Sequence, residues 1–324
     1  MHIIFCVDRR VLPGLHVAAY SLLDRIHPAA GDTHFSIFSD ALHESDMVLL
    51  QRTLTAIGKP FALELRRLDP LSFVGFPTLN NSLATYYRLF AAQIMEVDRF
   101  LYVDADTLCD VDVSELQSFD MKSAPVAWVP EAPLSRAIDR NVAEQLGNHE
   151  TGSYFNAGVM LVNVSEWRRQ KVTENAMEYI ARCRPAFWDQ SALNCVLYQK
   201  AQVLDDKFNC MSNMRKNWPV LKQPYGNIGR FVHFLDYPKP WDCGAEMLHP
   251  QYRLWRTVLD RTAMKDFRSW HRTPARKFPR TRKAWGGYKK AFKDRLLFAG
   301  YAKGWLRCVK GVPVTSNPVR VYEN

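Results

Sequence analysis

Two hydrophobic rhythms alternate along roughly the first 260 residues. Short runs rich in β-branched and aromatic residues, Ile3–Val7, His34–Phe38, Phe61–Leu68 and Phe100–Val103, are bounded by polar residues and read as strands. Between them, Leu15–Leu23 and Glu44–Gly58 carry apolar residues at helical spacing. A third helix, capped near Ser82, packs through Leu83, Tyr86, Leu89, Phe90 and Ile94. Further on, Asp112–Leu116 predicts a short helical turn and Pro125–Val129 a strand with Glu131 just past its end. Tyr154–Asn163 presents a polar turn feeding a buried strand, Glu166–Arg182 reads as one long amphipathic helix, and Trp188–Asn194 opens another. Strands alternating with helices in this way predict an α/β fold with a mostly parallel sheet.

That prediction gives meaning to the polar residues at strand ends, because open sheets bind ligands beyond the carboxyl ends of their strands. The first strand delivers Asp8, suited either to accept from a base ring N–H or simply to start the following helix. The Phe100–Val103 run ends in Asp104-Ala105-Asp106. In an extended segment the two carboxylates share a face, and their repulsion would be relieved by an oxygen-binding divalent ion. An isolated Asp-x-Asp is more often a turn cap beside a solvated carboxylate, so other segments must decide. No Gly-x-Gly-x-x-Gly follows the first strand, so any nucleotide would have to be held by another device, for which a metal is the obvious candidate. Arg88, set amid apolar positions, is either paired with a carboxylate or aimed at a phosphate. Asn156 offers donor and acceptor, and the small Ala157 and Gly158 allow close backbone approach to a ligand.

Composition adds a second theme. Seven scattered cysteines without Cys-x-x-Cys spacing argue against a disulfide framework or zinc site and for a reducing compartment. Cys6, Cys109 and Cys195 read as small core residues, and His149 and His249 as surface or packing residues. The amino terminus lacks a basic start and a long apolar run, and no membrane-spanning run occurs elsewhere, so a cytoplasmic location is expected. The chain carries +10, yet Lys265–Lys310 alone holds fifteen Lys or Arg against Asp266 and Asp294, so the body before it is slightly acidic. Trp270, Phe278, Trp285, Tyr288, Phe292 and Trp305 are interleaved with those cations. This composition suits the surface of an anionic bilayer better than water, and predicts peripheral association with the inner face of the membrane. Nucleic-acid binding is electrostatically possible, but no base-reading motif accompanies the charge.

Four ordered motifs, Asp104-Ala105-Asp106, Tyr154-Phe155-Asn156-Ala157-Gly158, Asp189-Gln190-Ser191-Ala192-Leu193-Asn194 and His233-Phe234-Leu235-Asp236-Tyr237-Pro238-Lys239-Pro240-Trp241, give the chain a resemblance to glycosyltransferase family 8. The likeness is strongest to bacterial lipopolysaccharide galactosyl- and glucosyltransferases and covers about residues 1–260, leaving 261–324 as a basic helical appendage. It implies a GT-A fold, a UDP-hexose donor, a manganese ion, a lipopolysaccharide or related glycan acceptor, and retention at the anomeric carbon. It further implies that Asp104, Asp106 and His233 ligate the metal with Ala105 between them, and that Asp8 faces the uracil. By the same likeness Arg88, Asn156 and Asp189 hold the donor sugar, Gln190 lies beside the anomeric carbon and Lys239 contacts the diphosphate. Two positions depart from the family: Ser191 stands where an aspartate is usual, and Asp236 where glycine is usual. With an amide at 190 and serine at 191, a front-face route, in which the leaving phosphate takes the acceptor proton, is favoured over double displacement. The rivals are a metal-dependent nucleotidyl or phosphoryl transferase and a non-catalytic nucleotide-sugar or nucleic-acid-binding protein.

Overall fold

The structure is a computed structural model that describes residues 1–268 apart from 29–30, 70–72, 74, 77–81, 137, 148–151, 213–228, 236–238, 243–244 and 246–251. Asp236, His149, His249 and nearly all of the basic appendage lie outside the described residues. In chain order the elements are β1 (His2–Cys6), α1 (Leu12–Arg25), β2 (Thr33–Phe38), α2 (Glu44–Thr55), β3 (Phe61–Arg66), α3 (Ala84–Ile94), β4 (Arg99–Val103) and β5 (Thr107–Cys109). They continue with β6 (Val126–Pro133), α4 (Arg140–Gln145), β7 (Ser153–Asn163), α5 (Val164–Arg169), α6 (Val172–Cys183), α7 (Trp188–Val196), β8 (Gln202–Val203), β9 (Cys210–Ser212), β10 (Phe231–Phe234) and α8 (Tyr252–Leu259).

The main sheet has the order β3-β2-β1-β4-β7-β6-β8. β3, β2, β1 and β4 run parallel, as do β6 and β8, while β7 is antiparallel to both its neighbours. Alternation sorts each strand between two helical layers. Ile3, Phe5, Leu101 and Val103 pack with α1 and α2 through Leu15, Leu22, Leu50 and Leu54. Ile4, Phe100 and Tyr102 face the other way, onto α3, α6 and α7 through Tyr86, Leu89, Ile180 and Leu193. Burial on both faces is why β1 and β4 read as continuous apolar runs. Each fully buried Leu or Phe contributes about 1.5–3 kcal/mol. A second sheet, β5-β10-β9, lies behind α1, where Val17, Trp241, Trp255 and Val258 form their own cluster.

Three departures from the predicted elements have local causes. The Glu166–Arg182 pattern is two helices, α5 and α6, separated at Lys171, whose φ of 51° is left-handed. Both pieces pack on one core, and Trp167 Nε1 donates to Thr173 Oγ1 across the break at 2.9 Å, so the apolar spacing conceals it. Strand β6 continues through Glu131 to Pro133 instead of stopping at Val129, because register shifts at Trp128/Val129 and Pro130/Ala132 absorb the prolines. Helix α2 ends at Thr55, and Gly58, at a left-handed φ of 76°, donates its N–H to the Thr55 carbonyl at 3.1 Å.

Candidate active site

Strands β1 and β4 are parallel neighbours, with Ile3 opposite Leu101 and Ile4 opposite Tyr102, so Asp8 and Asp104 leave the sheet at the same edge. Asp104 N–H donates to Gly158 O at 2.7 Å, extending the β4–β7 ladder by one residue. The chain then turns through Ala105 and Asp106, with Thr107 Oγ1 donating to Asp104 O at 2.8 Å and Phe234 N–H to Asp106 O at 2.8 Å. The two carboxylates therefore converge because of a turn between β4 and β5, and not through strand alternation as predicted. Antiparallel pairing of β5 with β10 places His233 opposite Thr107 and brings in a residue more than 120 positions away in sequence.

His233 Nε2 lies 3.1 Å from Asp106 Oδ1 and 3.8 Å from Asp104 Oδ2. One ligand atom from each of Asp104, Asp106 and His233 falls within 4.8 Å of the others, the arrangement a divalent ion requires. The imidazole, 2% exposed, fills space that Gly158 leaves free: a Cβ there would lie 2.1 Å from His233 Cε1 and 2.7 Å from Nδ1. The glycine that the sequence assigned to ligand approach thus makes room for a protein side chain. Lys239 Nζ donates to Asp106 Oδ2 at 2.6 Å and to Leu235 O at 2.9 Å. Burial opposes ionisation of Asp106, but Lys239 and His233 outweigh it and hold the carboxyl well below its usual range.

Arg88, from α3, is paired. Its Nη2 reaches Asp104 Oδ1 at 3.0 Å, its Nη1 donates to Ala157 O at 2.7 Å, and its guanidinium lies 4.5 Å from the Tyr102 ring centroid. Tyr102 OH also donates to Asp104 Oδ1, at 2.5 Å. Arg88 Nε is 2.9 Å from Asp189 Oδ2, but its N–H points to Thr85 O at 3.2 Å. Asp189 Oδ1 accepts from Thr85 Oγ1, while Oδ2 is a buried acceptor without a hydrogen bond. Burial pushes the Asp189 carboxyl up against the opposing pull of Arg88. One guanidinium serves a partly exposed carboxylate, Asp104, and a buried one, Asp189, and the second is under-compensated.

Asn156 and Gln190 meet beside this pair. Gln190 Oε1 accepts from Ala157 N–H at 3.1 Å and lies 3.4 Å from Asn156 Nδ2, which is also 3.4 Å from Glu131 Oε2. Ser191 turns away from this group. Its hydroxyl donates to Asp139 Oδ2 at 2.5 Å and accepts from Phe187 N–H at 3.1 Å. Tyr154 OH donates to the same Asp139 oxygen at 3.0 Å, and the other Asp139 oxygen caps α4 by accepting from Val142 N–H at 3.2 Å. Ser191 thus serves a neighbouring buried carboxylate.

A cavity of about 320 Å³ opens over these groups, lined by Asp8, Arg88, Asp104, Asp106, Lys239 and Trp241 among others. Asp8 caps the turn Arg9–Val11 by accepting from Arg10 N–H at 2.7 Å, and its other oxygen pairs with the Arg10 guanidinium. Burial opposes ionisation of Asp8, but the Arg10 interactions prevail and keep its carboxyl below the ordinary value. Beneath the cavity, Gly14 in α1 admits Trp241 and the Asp-x-Asp turn together: a Cβ there would meet Trp241 Cζ3 at 2.3 Å and Ala105 O at 2.4 Å. A larger cavity, about 530 Å³, lies at the amino ends of β1 and β4 beside His2, Asp98 and Arg99. The chemistry of the smaller one, at the sheet's carboxyl edge, marks it as the site.

Sequence reasoning missed Thr85, Tyr102, Asp139 and Asn209. Each is an ordinary polar residue outside the four motifs, Tyr102 even in the strand that leads into one, and only the tertiary contacts reveal it.

A mostly parallel sheet carrying an Asp-x-Asp turn and a remote histidine at its carboxyl edge is a GT-A-like arrangement. The model of the family described as "Glycosyl transferase family 8" matches residues 2–244, and the chain belongs to that family. It is 28% identical over 251 residues to a lipopolysaccharide 1,2-glucosyltransferase of Escherichia coli, covering 71% of this chain and 73% of that protein. It is likewise 28% identical over 266 residues to a lipopolysaccharide 1,3-galactosyltransferase of Salmonella typhimurium, covering 78% and 76% of the two chains. Among solved structures, the galactosyltransferase LgtC in complex with donor and acceptor sugar analogues superposes with a TM-score of 0.68 at 22% identity, covering 81% of this chain and 96% of LgtC.

Proposed function

We propose that this glycosyltransferase moves a hexose, galactose or glucose, from a UDP-sugar to a lipopolysaccharide or related glycan, with retention at the anomeric carbon and with manganese as the divalent ion. The observation that carries the reading is the convergence of Asp104 and Asp106, which line the cavity, with the buried His233 beside them. Their donor set, two carboxylates and an imidazole, suits manganese better than magnesium, and the gap at Gly158 is shaped to the imidazole. When bound there, the ion would neutralise the charge that develops on the departing diphosphate.

The chain's own residues do the rest. Lys239, beside Asp106, adds positive charge where the diphosphate rests. Asp8 faces the base. Asp189 Oδ2, buried and without a hydrogen bond, accepts from a sugar hydroxyl, and Arg88 fixes that carboxylate and Asp104 in one geometry. Asn156 Nδ2 donates to the sugar, and Gln190, anchored on Ala157 N–H, lies against the anomeric carbon. Glu131, at the open side, faces the acceptor. The Asp189 carboxylate is engaged by Arg88 and Thr85, and that of Asp139 by Ser191, Tyr154 and Val142, which favours the front-face route. In it the acceptor oxygen bonds to the anomeric carbon as the bond to phosphate breaks, and the acceptor proton passes to the departing phosphate oxygen.

The catalytic body spans residues 1–260, and the appendage 261–324 rests on the anionic inner face of the membrane, where a lipid-anchored acceptor would be concentrated. Its Lys, Arg and aromatic content supports this, and no helix among the described residues is long and apolar enough to cross a membrane. A panel of nucleotide sugars tests the catalytic reading: manganese-dependent release of UDP and free hexose from a UDP-hexose is expected, and pyrophosphate release instead would overturn it. Truncation after Leu259 should abolish binding to anionic liposomes while donor hydrolysis persists, and unchanged liposome binding would refute the membrane role.

A further inference from the structure

Asn209 was in none of the motifs, yet it is 1% exposed and wedged between two groups of the site. It ends the turn Asp206–Phe208 just before β9, and parallel pairing of β9 with β10, Val232 opposite Cys210 and His233 opposite Met211, holds it beside His233. Asn209 Nδ2 lies 3.0 Å from Asn156 Oδ1, and Asn209 Oδ1 lies 3.0 Å from His233 Nδ1.

The polarity of this chain follows from one unambiguous group. Gly158 N–H, a backbone donor, lies 2.9 Å from the Asn156 amide, so the Asn156 atom facing it is the oxygen. That oxygen is also the one Asn209 approaches, so Asn209 must present its NH₂ there and its own oxygen on the opposite side. The group facing that oxygen, His233 Nδ1, is then the ring nitrogen that carries a proton. Nε2, 3.1 Å from Asp106 Oδ1 and turned toward both carboxylates, is then the nitrogen whose lone pair a bound cation would take, in exchange for the proton it otherwise gives to Asp106. A backbone amide two residues from Asn156 thereby sets the tautomer of a histidine in a distant strand.

We propose that Asn209 is a positioning residue for the divalent cation: it fixes the tautomer and ring orientation of His233, and through Asn156 it ties cation affinity to the donor-sugar side of the site. The inference rests on the reading of Asp104, Asp106 and His233 as a cation site. Partners of this kind set ligand orientation and basicity, and their loss weakens metal binding by about 10- to 100-fold.

The test is direct titration of the full chain with Mn²⁺, without substrate, for wild type, Asn209→Leu, Asn209→Asp and Asp106→Ala. Asn209→Leu, similar in volume but without an acceptor, should raise the Mn²⁺ dissociation constant by about 10- to 100-fold. Asn209→Asp, which keeps an acceptor oxygen toward Nδ1, should bind at least as tightly as wild type. Cd²⁺-loaded wild type should also show an exchange-protected downfield ring N–H signal in proton NMR that His233→Gln removes. Unchanged affinity in Asn209→Leu, with wild-type binding abolished by Asp106→Ala, would overturn this inference alone. Wild-type chain that binds no Mn²⁺ at Asp106 would overturn the cation site and this inference together. Should Asn209→Leu not fold, the NMR signal decides: its absence from folded, Cd²⁺-loaded wild type refutes the tautomer assignment.

Discussion

Replacing Gly158 by alanine adds one methyl group where β7 faces the His233 imidazole. The new Cβ would stand 2.1 Å from His233 Cε1, whereas ordinary contact begins near 3.4 Å. The imidazole must retreat by about 1.3 Å, since interiors are too closely packed for the sheet to yield instead. Metal–ligand distances tolerate only about 0.2 Å, so Nε2 leaves the position shared with Asp104 and Asp106. A displacement of this size costs about 100-fold in a reaction that depends on the bound geometry. The overpacking itself costs about 1–3 kcal/mol of stability. The assay pairs Mn²⁺ titration with UDP-hexose hydrolysis, and urea denaturation verifies that the variant is folded. A folded Gly158→Ala protein with cation affinity and turnover within about twofold of wild type would refute the reasoning.

Two further expectations concern parts of the molecule that do not touch substrate. His16, buried between α1 and α2 with Nδ1 2.7 Å from Thr53 Oγ1, is pushed by burial from 6.5 down to about 3, with Asp46 opposing. Below pH 6.5 the unfolded chain takes up a proton that the folded chain refuses, so stability falls as pH drops from 6.5 toward 3. By pH 5 the loss is about 2 kcal/mol, and His16→Leu should flatten that part of the stability–pH curve; equal slopes in both proteins would count against it. Ser191→Ala removes a donor from the buried Asp139 carboxylate and should cost about 1.5–3 kcal/mol in denaturant unfolding while leaving the hydrolysis rate of folded protein nearly unchanged. A large fall in turnover without loss of stability would instead give position 191 a part in the chemistry.

The parallel half of the sheet was legible because β1, β2 and β4 are largely buried and their apolar residues record that burial, while β3, an edge strand with no fully buried residue, shows instead an alternation of apolar and polar positions. Motif order rather than periodicity drew Asp104, Asp106 and His233 together, since β5–β10 pairing spans a separation no local pattern encodes. The break at Lys171 and the continuation of β6 past Pro130 were hidden because each is decided by tertiary packing. Asp139 and Asn209 were illegible for a related reason: their importance lies in which partner they meet, and a lone Asp or Asn in a turn looks the same whatever it meets. Gly158 was noticed but its neighbour His233 was not foreseen, as a small residue announces a close approach without saying what approaches.

The central claim is that Asp104, Asp106 and His233 hold the divalent ion through which the donor diphosphate departs. Its most direct test is hydrolysis of UDP-hexose by purified wild type and Asp106→Ala, each with Mn²⁺ and with the metal chelated. The expected result is release of UDP and free hexose by wild type with Mn²⁺ alone, and only background in the other three conditions. Full activity of Asp106→Ala with metal chelated would contradict it.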